Sequence, residues 1–136
     1  MSFAAFLETA WNDHADQPDA VAARLALALE RVEAVADIPP LARLITHVYG
    51  EHLARWQTGI DLLASLRTLP CWDGSREADA AVACGIAVLR YEKRTKQYGA
   101  RLDAIDRFTV KDEAIDDALA AVAVLRKTAR INPSKI

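Results

Sequence analysis

Apolar positions recur at spacings of three and four from the first residues of the chain. Phe3, Phe6, Leu7, Ala10 and Trp11 share one helical face, and Ser2 stands where a hydroxyl side chain caps the first turn. Asp16 opens a second helix, with Pro18 and Asp19 in its first turn, where a missing amide and a negative charge are both tolerated. Its stripe runs Val21, Leu25, Leu29, Val32 and Val35, until Asp37, Pro39 and Pro40 stop it and begin a third helix. Leu41, Leu44, Ile45, Val48, Tyr49, His52, Leu53 and Trp56 hold one face of that third segment. Gln57-Thr58-Gly59 reads as a short break, and Ile60, Leu63 and Leu66 carry a fourth helix to Pro70, so helices three and four should form an antiparallel hairpin.

Cys71-Trp72-Asp73-Gly74-Ser75 is the strongest loop signal. Beyond Arg76 the pattern changes, because Ala80 to Leu89 is apolar on all sides, as in a helix covered by its neighbours. Leu102, Ile105 and Phe108 predict a short sixth helix. Thr109 caps a last one with the stripe Ile115, Leu119, Val122 and Leu125, ending before Asn132-Pro133.

Composition agrees. Of 136 residues 27 are alanine and 15 leucine, both strong helix formers, which tilts the fold to all-α. A chain of this length is expected to form one domain, 1–136, and to bury roughly 68% of its unfolded surface without covalent staples. Twelve arginines against five lysines suit a GC-rich bacterial genome. The start lacks the basic flank and apolar run of a signal peptide, and the longest uncharged apolar stretch is about half a bilayer span. A cytoplasmic protein without membrane association is therefore expected. Cys71 and Cys84 make neither a disulfide framework nor paired zinc spacing.

The helical hairpins begin near Ser2, Asp37 and Ser75, and the final helix near Thr109, in steps of 35, 38 and 34 residues. Steps of that size suit a helix-turn-helix repeat. In this spacing, and in the segment Leu44 to Leu66, the chain resembles tetratricopeptide-type repeat proteins. Tyr49-Gly50 stands where that family places a small residue for close helix contact, Leu53 where its next large residue packs, and Leu62 and Leu66 where the second helix carries alanine and a large apolar residue. Leu62 is larger than the family's alanine, and the repeat-closing proline is out of register. The resemblance implies six or seven helices in antiparallel hairpins, stacked as a short right-handed solenoid. A compact irregular helical bundle is the alternative.

No nucleophile–base arrangement or glycine-rich phosphate loop is readable, so neither catalysis nor a cofactor is expected. His47, Glu51 and His52 invite a metal reading. Two histidines four apart share a helix face, but five α-helical residues leave them about 140° apart, and His52 falls on the core stripe. No metal is therefore expected, and His47 should instead pair with Glu51. Asp112, Glu113, Asp116 and Asp117 occupy the first turns of the last helix and Arg126, Lys127 and Arg130 its end, the order that the helix dipole favours. Arg90, Lys93, Arg94, Lys96 and Arg101, with Tyr91 and Tyr98 interleaved, carry a local charge of +4 against Glu92. Segment 90–101 thus supplies an alternative reading as a nucleic-acid-binding helical domain, although the whole chain is slightly acidic.

In repeat proteins of the resembled type, the first helix of each hairpin lines a concave groove. By that resemblance Arg43 and His47 on helix three, with Arg90 and Arg94 on the first helix of the third hairpin, face a bound segment. The expected function is a non-enzymatic protein-protein interaction module that binds a peptide or helix of a partner protein. Apolar ends of so short an array also leave room for two copies to pair as a homodimer.

Overall fold

The computed structural model describes residues 2–97. These residues are helical without a strand among them, in the order α1 (Phe3–Asp13), α2 (Pro18–Ala28), α3 (Ile38–Thr46), α4 (Trp56–Leu66) and α5 (Arg76–Glu92). The sixth and seventh helices expected beyond Leu102, the acidic cluster at 112–117, Tyr98 and Arg101 lie outside the described residues.

Each helix begins where local chemistry allows it. The Ser2 hydroxyl accepts the amide of Ala5 at 3.1 Å and caps α1. Pro18 opens α2, and Pro39 and Pro40 sit in the first turn of α3, where no amide has an intrahelical partner. Between α4 and α5, Gly74 takes a φ of +70° and the Asp73 carboxylate accepts the amide of Ser75 at 2.9 Å.

One core joins all five helices. Phe6, Leu7 and Ala10 enter it from α1, Val21 and Leu25 from α2, and Leu41, Leu44 and Ile45 from α3. Leu63 and Leu66 of α4 meet Val82, Ile86 and Leu89 of α5, all but Ile86 without exposed surface. Burying side chains of this size stabilises the fold by about 1.5–3 kcal/mol each. Among the described residues no charged side chain is buried, and every buried side-chain polar atom has a hydrogen-bond partner. The Tyr49 hydroxyl donates to the carbonyl of Ala22 at 2.8 Å, tying α2 to the turn that follows α3, and burial raises the pKa of this phenol above its ordinary value despite the nearby Arg55.

Several sequence expectations are corrected. α2 stops at Ala28, and the chain from Leu29 to Asp37 runs through two short 3-10 turns, so Leu29, Val32 and Val35 do not prolong its stripe. The third segment is not one regular helix: α3 ends at Thr46 and continues as a π-helical turn, His47–His52, in which the amide of Leu53 donates to the carbonyl of Val48 at 3.1 Å. The break then falls at Leu53–Arg55, with Ala54 at a φ of 52°. Gln57, Thr58 and Gly59 lie inside α4. Gly59 is there for contact, since a Cβ would come within 2.7 Å of Leu89 and 2.9 Å of Tyr49. Finally, α5 is not covered on every side: among the described residues Val88 is 41% and Tyr91 51% exposed.

Candidate functional site

α3 and α5 leave a hollow of about 610 Å³ between them. Its α5 wall is built of Ala80, Ala81, Cys84, Gly85 and Val88, small side chains that keep the floor apolar and open. Arg43 and His47 line the opposite wall, and Glu51, Glu77 and Glu92 also contribute. At the base of the hollow α5 approaches α3 and α4 closely through Gly85, where a Cβ would collide with the Thr46 hydroxyl and with Leu63. Two of the four residues expected to face a partner, Arg43 and His47, therefore lie on one wall. Arg90 and Arg94 do not line the hollow, although Glu92 between them does. Further along the basic run, the Lys93 ammonium donates to Gln57 at 3.0 Å.

His47 belongs to a second feature. Its Nδ1 lies 3.0 Å from the Glu51 carboxylate, the pairing expected from their spacing. Its Nε2 lies 3.2 Å from Nε2 of His14 and 3.2 Å from Nε2 of His52. All three histidines of the chain thus meet, with one ring nitrogen of each within 4.8 Å of the others. His14 caps the end of α1, and its Nδ1 is held against the carbonyl of Trp11. The Trp11 ring stacks on His47 with centroids 5.5 Å apart and meets His14 edge-on at 5.1 Å.

The π turn explains how His47 and His52 come together. On a regular α-helix they would stand about 140° apart. In a turn whose hydrogen bonds close from residue i to i+5, residues five apart return to nearly one face. His52 consequently leaves the core stripe and is exposed, while Val48, Tyr49 and Gly50 of the same turn are buried. His14 was invisible to spacing arguments because 33 residues separate it from His47. Only the folding of α1 against α3 brings it near.

No family model, curated protein or solved structure matches the chain significantly. No described helix is long and apolar enough to cross a membrane.

Proposed function

We propose that this protein is a non-enzymatic interaction module that takes a helical segment of a partner protein into the hollow between α3 and α5. The observation that carries this reading is the hollow itself, an apolar floor of small α5 side chains beside Arg43 and His47 of α3. In a tetratricopeptide-like stacking these two are the first helices of successive hairpins, the elements that line the groove in such proteins. The small floor residues leave room for large apolar anchors at i, i+3 and i+4 of an incoming helix. Glu51, Glu77 and Glu92 outnumber Arg43 around it, which favours a partner whose anchors are flanked by basic residues.

The test is capture from a cell lysate by the tagged protein, with and without nuclease, using wild type, Val88→Glu and Arg43→Glu. Both positions are exposed, so both variants should fold. A discrete protein that withstands nuclease and is lost with Val88→Glu is the expected result. Its undiminished capture by Val88→Glu would overturn the groove assignment. Material that disappears with nuclease and high salt would move the assignment to the basic segment 90–101.

A further inference from the structure

We propose that His14, His47 and His52 form a binding site for one divalent transition-metal ion of the zinc type, independent of the groove reading. Ligand nitrogens 2.0–2.1 Å from such an ion, at angles between octahedral and tetrahedral, lie about 2.8–3.4 Å from each other. The two Nε2–Nε2 separations of 3.2 Å fall inside that range, and the third pair, His14 and His52, lies within 4.8 Å and closes on the ion by a small ring movement.

Hydrogen bonding outside the cluster fixes which nitrogens face it. A carbonyl and a carboxylate can only accept, so Nδ1 of His14 donates to Trp11 and Nδ1 of His47 donates to Glu51. In the neutral rings Nε2 of His14 and Nε2 of His47 then each carry a lone pair. The lone pairs of His14 and His47 face each other across 3.2 Å with no hydrogen to share, an arrangement that repels unless a cation sits between them, and Nε2 of His52 approaches that of His47 at the same distance. A proton on one ring bridges that ring to its neighbours, whereas a metal ion engages all three nitrogens at once. Metal-bound histidines characteristically donate their second nitrogen to a carbonyl or carboxylate, and two of these three do so before any ion is placed.

The donor set selects the class of ion. Three imidazoles, with neither a thiolate nor a carboxylate among the converging atoms, suit zinc, nickel or copper and not calcium or magnesium. His14 and His47 are half-buried and His52 is exposed, so an ion held there keeps a solvent-facing position for water or an added ligand. Three protein ligands with a position left over is the pattern of an exchangeable zinc site, not of a closed structural one.

The full-length chain, stripped with a chelator, is titrated with Zn²⁺ by calorimetry and with Co²⁺ by visible absorption. One ion per chain is expected. His14→Gln, His47→Gln and His52→Gln should each weaken binding by about 100-fold or more while the far-ultraviolet circular dichroism is retained. Glu51→Gln, which leaves the ligands in place and weakens only the acceptor behind His47, should cost about 10-fold. Absence of stoichiometric uptake by wild type would overturn the site, as would affinities within about two-fold of wild type in all three histidine variants. X-ray absorption of the zinc-loaded wild type guards against misfolded variants: three imidazoles are expected in the first shell, and sulfur there would refute the assignment.

Discussion

The six residues His47–His52 face two regions built on opposite principles. On one side Tyr49 and Gly50 press into the crossing with α2 and α5. There Leu89, without exposed surface, fits between two glycines: a Cβ on Gly50 or on Gly59 would each come within 2.7 Å of one of its methyl groups. On the other side His47, Glu51 and His52 turn outward, and the two histidines meet His14 beside the Trp11 ring, in a corner of ring contacts, charge and hydrogen bonds with no fully buried side chain among these residues. The crossing is determined by volume, so almost any change there alters stability. The corner is determined by the direction of lone pairs, so a change there alters what can bind and leaves the fold nearly as it was. One irregular turn serves both, because the extra residue in its hydrogen-bond ladder rotates the histidines outward while the apolar side chains stay in.

The largest effect should come from emptying the crossing. Leu89→Ala removes the side chain that both glycines accommodate, and about 2–5 kcal/mol of stability should be lost in urea unfolding. A loss below about 1 kcal/mol would mean that α5 does not pack on the π turn as closely as the glycine contacts require. The opposite error, overfilling, should be milder. In an open helix interior Gly→Ala gains up to about 1 kcal/mol from propensity. At Gly59 the new methyl meets Cβ of Tyr49, which is fixed to the backbone and cannot swing away. Overpacking of about 1–3 kcal/mol should therefore outweigh that gain, and Gly59→Ala should unfold at lower urea than wild type. A more stable variant would refute the close approach.

Much of the crossing was legible in the sequence, and little of the corner was. The stripe Leu41, Leu44, Ile45 and Val48 is buried as the period predicts, and Arg76 opens α5 after the Cys71–Ser75 loop. Periodicity reports burial, and burial is what a packed crossing consists of. It misled where a glycine serves contact instead of breaking a helix, as at Gly59, and where the helical period itself changes, as between His47 and His52. That change cannot be read from a pattern that presumes 3.6 residues per turn. The triad needed a contact between residues 33 apart, which no local rule supplies.

The smallest expected effect separates the two regions most cleanly. In chelator-treated protein His52→Gln should change unfolding free energy by no more than about 0.5 kcal/mol, the usual range for an exposed residue outside the core. The reason is specific to the corner. His52 is exposed, its described polar contact is to another imidazole, and no buried group among the described residues hydrogen-bonds to its ring. With Zn²⁺ added, the two proteins should diverge, because an ion that binds only the folded chain stabilises it by RT ln(1 + [L]/Kd), about 2.7 kcal/mol at one hundred times the dissociation constant. Wild type should gain that increment and His52→Gln should gain far less at the same zinc concentration. A His52→Gln variant already destabilised by more than about 1 kcal/mol without metal would show that the corner contributes packing after all, and the contrast between the two faces of the turn would fall.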